Sequence, residues 1–272
     1  MKAGRAPSKP VWQDIPPPAS ASSASEAPAE GKTLAKGGGP KRIKKKHSLR
    51  RRLLLLPFKI AGWFVLVSVL WVLLYAVVNP PITLTQLFDG NGAARQWMSI
   101  DEMDREMARA VIAGEDAKFC SHYGFDQDAI EAAFRRNMAG GSVLRGGSTI
   151  TQQTAKNVFL WQGGGYFRKA LEAWFALLIE TIWGKRRIME VYLNVAETGI
   201  GTYGANEGAR RYFNHDAGQL SRQEAARIAA VLPLPKRRDA VDPTGFTRRY
   251  GNTIAARMAV VQRSGFDACV YR

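Results

Sequence analysis

The polar residues best suited to chemistry fall into four short segments, of which the first runs from Glu115 to Asp126. It holds three carboxylates, His122 and a glycine at the end of an apolar helical stretch. A carboxylate half-screened from water there has a raised proton affinity and can act as a base. Spacing alone favours a capped helix end with solvated charges, and a structural, hydrogen-bonded His122 over a metal ligand.

The second segment, Gly146 to Asn157, packs small hydroxyl and amide side chains around one cation, Lys156. Its two leading glycines precede a Ser-Thr helix start, where open backbone N–H groups suit an anion. It is not a Walker loop, because the pattern G-x-x-x-x-G-K-[ST] does not occur. A polar, N-capped surface helix explains the same residues equally well.

The third segment places Arg168 and Lys169 at the start of a strongly apolar helix that Glu172 and Glu180 interrupt. An acid in such a face needs a partner or a shifted pKa, which makes these residues candidates for a charged site. A buried ion pair between an acid and an arginine is the structural alternative.

In the fourth segment, Arg187 to Gly199, Glu190 and Asn194 lie four residues apart and share one helix face. Bracing of the core is the favoured interpretation of this pair.

Helices must position all four segments, because apolar residues recur with helical spacing from residue 98 onward. The segments predicted as helices are Glu102–Ala113, Gln127–Met138, Thr149–Leu160, Phe167–Trp183, Arg187–Ala196, Ala205–Tyr212 and Arg222–Val231. Alternating strand patterns and repeats of 20–50 residues are not apparent, so the domain is predicted to be nearly all α.

A membrane anchor is predicted before this domain. Residues 1–59 carry a net charge of +11 out of the formal +16, and residues 1–40 have the Pro, Ala, Ser and Gly content of a disordered tail. Ile60–Val78 is then free of charge over 19 residues, which as a helix spans ~28 Å. Because the basic residues lie on the N-terminal side of this run, the N-terminus is predicted to be cytoplasmic. A cleaved signal peptide and a nucleic-acid-binding tail explain the run less well.

Metal and cysteine chemistry have few candidate residues. The histidines His47, His122 and His215 lie far apart, and no Cys/His cluster has zinc spacing. Cys120 and Cys269 could form a disulfide in an oxidising compartment, or they could be two free buried thiols.

Taken in order, the segments resemble the family 51 glycosyltransferases, the peptidoglycan glycosyltransferases. The family pattern runs E-D-x-x-F-x-x-H-x-G, G-x-S-T-I-x-Q-Q-x-x-K-N, R-K-x-x-E, K-x-x-I-x-x-x-Y-L-N and a G-A-x-x-A-x-x-Y-F-like stretch. The chain supplies these at Glu115–Gly124, Gly146–Asn157, Arg168–Glu172, Lys185–Asn194 and, with a slight departure, Gly204–Phe213. The resemblance covers about residues 98–235, and five motifs in order are very specific.

This resemblance implies a mainly α, lysozyme-like glycosyltransferase lobe with a small membrane-contacting lobe near residues 127–147, preceded by one transmembrane helix. The expected divisions are a disordered basic cytoplasmic tail (1–52), the membrane helix (53–78), a linker (79–97), the catalytic domain (98–265) and a C-terminal tail (266–272). The protein is expected in the cell inner membrane, with its catalytic domain in the periplasm.

The implied activity is polymerisation of lipid II into β-1,4 glycan strands by inverting transfer, with release of polyprenyl diphosphate. The implied partners are lipid II, the nascent glycan chain, the membrane and other cell-wall synthesis proteins, but not nucleic acid. The motifs S-x-x-K, S-D-N and K-T-G are missing and only seven residues follow Gly265, so no transpeptidase domain is expected.

Carried over by position, Glu115 is the expected general base, and Lys156, Arg168 and Lys169 neutralise the leaving diphosphate. Glu172 is expected to orient these cations or contact the substrate. The other residues expected to bind substrate are Ser148, Thr149, Gln153, Asn157, Asp116, Phe119 and His122. No cofactor is required, although a divalent cation, Mg²⁺ or Mn²⁺, could bridge the diphosphate without a dedicated ligand set.

Two other functions use the same features. A membrane-bound, lysozyme-like muramidase would cleave peptidoglycan instead, but it needs a catalytic acid near the leaving oxygen and leaves the cations without a role. A non-enzymatic scaffold leaves both Glu115 and Glu172 without a role.

Overall fold

Amphipathic helices build the domain, as the apolar spacing predicts. The structure, a computed structural model, describes residues 49–138 and 147–271. Its helices are α1 (Leu49–Val77), α2 (Leu84–Leu87), α3 (Arg105–Glu115), α4 (Gln127–Met138), α5 (Ile150–Phe159), α6 (Gly165–Ile182), α7 (Gly184–Val195), α8 (Ala205–Phe213), α9 (Arg222–Val231), α10 (Gly245–Ser264) and α11 (Ala268–Tyr271), with a 3₁₀ turn at Ala217–Gln219. The predicted mainly α class is therefore confirmed.

One apolar core joins two groups of helices. Helices α3, α9 and α10 pack on one another, and α5 packs on α6 and α7. Ile112, Ile228 and Ile254 are fully buried in the first group, and Ile150 and Ile188 in the second. The helices that carry the candidate site residues are thereby held against a common interior.

Helix α1 combines a membrane span with a docking segment. Its stretch Arg51–Val77 is long and apolar enough to cross a membrane by length and composition, and the side chains of residues 51–67 are exposed. From Ser68 onward the helix packs on the domain. The indole of Trp174 donates to Ser68 Oγ at 3.1 Å, and the indole of Trp183 donates to the carbonyl of Val72 at 2.8 Å.

A small three-stranded sheet lies beside the helices. Strand β1 (Ala94–Arg95) pairs parallel to β3 (Thr202–Tyr203), which pairs antiparallel to β2 (Glu197–Gly199). The sequence did not predict this sheet, because strands of two or three residues are too short to show alternation.

The segment expected as a linker, 79–97, is packed onto the domain instead. Thr83 and Gln86 form a capping box on α2, and Thr85 Oγ1 donates to the carbonyl of Leu160 at 3.3 Å. The guanidinium of Arg95 donates to the carbonyls of the two prolines that follow α1. These polar contacts satisfy buried groups, which a free linker would leave to water.

The expected C-terminal tail is also part of the fold. Arg109 Nε donates to Asp267 at 2.8 Å, and the carbonyl of the fully buried Val270 accepts from Arg186 at 2.8 Å. Cys120 and Cys269 form a disulfide with a Cα–Cα distance of 5.5 Å. The alternative of two free thiols is therefore excluded in this structure.

The expected membrane-contacting lobe is described only in part. Helix α4 exposes Ile130, Phe134 and Met138, with 43%, 63% and 73% of their surfaces accessible. These apolar side chains suit an interfacial segment. The glycine-rich stretch 139–146, with Val143, Leu144 and Arg145, lies outside the described residues, as does the basic tail 1–48.

We predict that the disulfide stabilises the folded domain, because it cross-links residues 149 positions apart. Replacing Cys120 and Cys269 together by serine should remove roughly 3 kcal/mol of stability. That loss corresponds to a fall of about 6–12 °C in the melting temperature of the detergent-solubilised protein.

Reductant supplies the control for this prediction. It should lower the melting temperature of the wild type but not of the double variant. Equal melting temperatures for oxidised and reduced wild type would contradict the prediction.

Candidate active site

Glu115 ends α3 and is held there by a neutral side chain. Its Oε2 accepts from the amide of Gln153 at 2.9 Å, and the amide oxygen of Gln153 accepts from the Tyr192 hydroxyl at 3.2 Å. Burial raises the pKa of Glu115, while the Gln153 hydrogen bond and the charges of Arg238 and Lys156 lower it in part. A carboxylate with raised proton affinity, fixed in orientation, is suited to act as a base.

Asp116, the next residue, organises the start of α5. Its carboxylate accepts from His122 Nε2 at 2.9 Å and from the backbone N–H of Ile150 at 3.0 Å. A carboxylate only accepts, so Nε2 carries the proton. Of the two interpretations of this helix start, the structure favours the N-capped helix over an open anion site, because Asp116 already accepts from the Ile150 N–H.

The other residues of this network also form the frame of the site. Thr149 caps α5 with Gln152, and its hydroxyl donates to the carbonyl of Gly124 at 2.7 Å. Phe119 is fully buried, with the ammonium of Lys185 4.6 Å from its ring centroid. Asp116, Phe119, His122 and Thr149 thus form a largely buried network that joins the end of α3 to the start of α5.

Glu172 gathers two cations at the start of α6. The carboxylate, only 3% exposed, accepts from Arg168 Nη1 at 2.7 Å and also pairs with the Lys169 ammonium. Lys169 in turn donates to Ser148 Oγ at 2.9 Å. The expected role of Glu172 in orienting these cations agrees with this geometry, and so does the alternative of a buried ion pair.

Lys156 lies near enough to Glu115 and to the Glu172 cluster to feel the charges of both. It has no ion pair among the described residues. It is half-buried and lies one helical turn after Gln153 on α5. Burial lowers the pKa of Lys156, and the charges of Glu172 and Glu115 oppose that effect. A partly desolvated cation without a counter-ion is suited to receive an anion.

A cavity of about 890 Å³ opens beside these groups. Gln153, Lys156 and Asn157 line it from α5, so it adjoins Glu115 through Gln153. Arg168, Lys169 and Ser148 do not belong to its lining.

The opposite part of the cavity lining was not predicted from the sequence. There Lys236 Nζ lies 3.1 Å from Asp89 and 3.5 Å from Glu197, whose pKa is raised mainly by burial. The residues come from segments far apart in the chain, and no spacing pattern signals their meeting.

Two further buried polar residues, Glu180 and Asn194, have structural partners. Glu180 accepts from the Thr151 hydroxyl at 2.9 Å and pairs with Lys185 at 2.5 Å. Asn194 exchanges two hydrogen bonds of 2.9 Å with the backbone of Met98, and the backbone carbonyl of Glu190 accepts a third from its amide. These bonds agree with the core-bracing interpretation for Asn194, while the half-buried carboxylate of Glu190 pairs with Arg187 at 2.6 Å.

The donor set does not fit a resident metal ion. No group of three or more His, Cys, Asp or Glu side chains that could hold one occurs within residues 49–138 and 147–271. Both carboxylate oxygens of Glu172 are already paired with cations. A divalent cation that bridges the bound diphosphate stays a prediction.

Comparisons with known proteins point to one family. The family model described as "Transglycosylase" matches residues 82–259, which includes most of the packed segment before α3. A protein of Caulobacter vibrioides named biosynthetic peptidoglycan transglycosylase is 45% identical over 224 residues, 80% of this chain and 97% of that protein. Proteins of the same name are 49% identical in Rhodospirillum centenum (70% and 82% covered) and 46% identical in Pseudomonas aeruginosa (78% and 93% covered).

We predict that Asp116→Ala destabilises the domain, because His122 Nε2 and the Ile150 N–H lose their acceptor. Each donor left without a partner costs about 1–3 kcal/mol. A thermal melt of the variant should show the loss.

Asp128→Ala is the matched control, since its carboxylate is 81% exposed in a surface pair with Lys118. It should leave the melting temperature unchanged. Equal melting temperatures for the two variants would mean that Asp116 does not organise the start of α5.

Proposed function

The chain belongs to the transglycosylase family and is a peptidoglycan glycosyltransferase, and from this premise we propose how its residues divide the reaction. Glu115 is the base that activates the acceptor, and Lys156, with Arg168 and Lys169, receives the leaving diphosphate. One observation carries the proposal: Gln153, whose amide holds the half-buried carboxylate of Glu115, and the half-buried ammonium of Lys156 lie one helical turn apart on α5 and line the same cavity.

The proposed substrates are the growing glycan chain as donor and lipid II as acceptor. Glu115 takes the proton of the acceptor's 4-hydroxyl as its oxygen forms a bond to the anomeric carbon of the donor. The bond between that carbon and the diphosphate oxygen breaks at the same time, and the diphosphate leaves with the electron pair. Attack from the opposite face inverts the carbon and gives a β-1,4 link.

The cations make the diphosphate a good leaving group without a proton. Arg168 and Lys169 share the single carboxylate of Glu172, and Lys156 adds a third cation, so the cluster keeps positive charge. Preorganised charges at the position where negative charge develops lower the barrier more than they would in water. Binding the anion also offsets the burial that lowers the pKa of Lys156.

The remaining polar residues have proposed supporting roles. Gln153 and Asn157 line the cavity, and Ser148 touches Lys169, so these three are proposed to contact sugar or phosphate oxygens. Asp116, Phe119, His122 and Thr149 are proposed to act through the frame described above.

The protein is a membrane protein by its anchor and family, and we propose the cell inner membrane with the domain in the periplasm. Basic residues at 41–52 on the N-terminal side of the span support a cytoplasmic N-terminus. The Cys120–Cys269 disulfide supports an oxidising surrounding for the domain. Helix α6, which carries Arg168 and Lys169, packs on α1, and this brings the diphosphate cations near the bilayer. Contacts with other cell-wall synthesis proteins stay a prediction.

We predict that Glu115→Gln abolishes polymerisation of labelled lipid II. The amide has the shape of the carboxylate but cannot take the proton, and loss of a general base costs at least about 100-fold. Chain length and rate are measured by gel separation of the labelled glycan.

Glu131→Gln, an exposed residue of α4, makes the same chemical change and should keep full activity. An active Glu115→Gln would refute the assignment of the base. Cleavage of finished sacculi by the wild type would favour the muramidase alternative.

We predict that Lys156→Met lowers the rate of glycosyl transfer by about 100-fold or more, because one preorganised charge at the leaving group is missing. Release of labelled polyprenyl diphosphate measures this step directly. The matched control is Lys118→Met, since Lys118 is half exposed and pairs with Asp128 at the surface. Wild-type release by Lys156→Met would show that the diphosphate binds elsewhere.

A further inference from the structure

Arg238, in the segment between α9 and α10, is a fixed cation without a carboxylate partner in the described part of the chain. Its guanidinium lies 5.1 Å from the ring centroid of Phe246 and 5.9 Å from that of Tyr250. Its Nη1 donates to the carbonyl of Ala230 at 2.6 Å. Aromatic faces and a carbonyl hold the guanidinium in place without neutralising its charge.

The same aromatic ring connects Arg238 to the base. The Tyr250 hydroxyl donates to the carbonyl of Gly114 at 2.7 Å, and Gly114 directly precedes Glu115. A Cβ at Gly114 would lie 3.0 Å from Ile254 Cδ1, so α3 and α10 approach closely at this point. Tyr250 therefore contacts both the cation and the last turn of the helix that ends in the base.

The groups that surround Glu115 leave two positive charges near it. Tyr192 of α7 and Tyr250 of α10 are hydroxyls whose pKa is raised by burial and, secondly, by the charge of Glu115. Asp116 adds negative charge, and Gln153 of α5 adds a neutral hydrogen bond. The cations are Arg238 and Lys156, and the charge of Arg238 lowers the pKa of Glu115 more than that of Lys156 does.

Only one of these two cations is proposed to bind the diphosphate. Lys156 is the residue proposed to meet the diphosphate, which offsets its charge and brings further negative charge toward Glu115. Arg238 does not belong to the cavity lining and is held by its rings and by the Ala230 carbonyl.

We infer that Arg238 is a positioning residue for the base: with Tyr250 it holds the end of α3, and its charge keeps Glu115 deprotonated once substrate occupies Lys156. The inference rests on the proposed role of Glu115. It assigns to the segment after α9 a part in catalysis that involves no contact with the reacting atoms.

The test compares pH profiles of lipid II polymerisation, in detergent, for the full-length wild type, Arg238→Gln and Arg238→Lys. Without the charge, Glu115 binds its proton more tightly, so the acid limb of kcat moves to higher pH in Arg238→Gln. We expect a loss of roughly threefold to tenfold in kcat near pH 6, recovery at higher pH and an almost unchanged KM. Arg238→Lys should restore the wild-type limb.

The control is Arg249→Gln, an exposed arginine of α10 that should leave the whole profile unchanged. If Arg238→Gln has a lowered melting temperature, Arg238→Met is used in its place, because the methionine side chain can still pack on the two aromatic rings. An acid limb that stays in place in an active, charge-free variant overturns the inference alone. An inactive wild type or an active Glu115→Gln would instead overturn the proposed reaction.

Discussion

A base and a cation must share one groove in this protein without pairing with each other. A direct ion pair between Glu115 and Lys156 would favour the charged forms of both and occupy the oxygen that must take a proton. The observed partner of the carboxylate is instead the neutral amide of Gln153, which donates to one oxygen at 2.9 Å. Lys156 follows three residues later on the same face of α5, so one helix carries both the hydrogen-bond partner of the base and the cation.

The rest of the domain keeps α5 and its neighbours in that position. Asp116 ties the end of α3 to the first turn of α5, and Glu172 ties the other cations to α6. A buried acid with two cations contributes little net stability, because desolvation of the charges offsets their attraction. Such a cluster is better explained by its use in the reaction than by its contribution to folding.

The sequence predicted the parts of the site that lie within short motifs. Glu115, Lys156, Arg168 and Glu172 each sit on a helix whose apolar spacing is visible, and the helix order brings them together. Arg238 and Lys236 were missed, because only tertiary packing carries them to the site from a segment that no family motif covers.

Two local features could not be foreseen, because they depend on the chain folding back on itself. The start of α5 has the glycines and hydroxyls of an anion site, and nothing in the spacing shows that Asp116 returns to occupy it. The residues at 79–97 have the composition of a linker, yet the carbonyls they meet, such as that of Leu160, belong to distant elements. Strands of two or three residues, as in β1–β3, give no periodic signal at all.

The docking of α1 sets how deep the enzyme sits in the bilayer. In the proposed orientation Ser68 lies ~22 Å along the helix from Leu53, and a hydrocarbon layer is about 30 Å thick. The indole of Trp174 therefore meets the anchor inside the outer leaflet, and the tail of a lipid-linked sugar can stay among its neighbours while its head group reacts. An anchor lengthened by one turn before Ser68 would lift the groove by about 5 Å and force each incoming lipid to rise out of the membrane to be used.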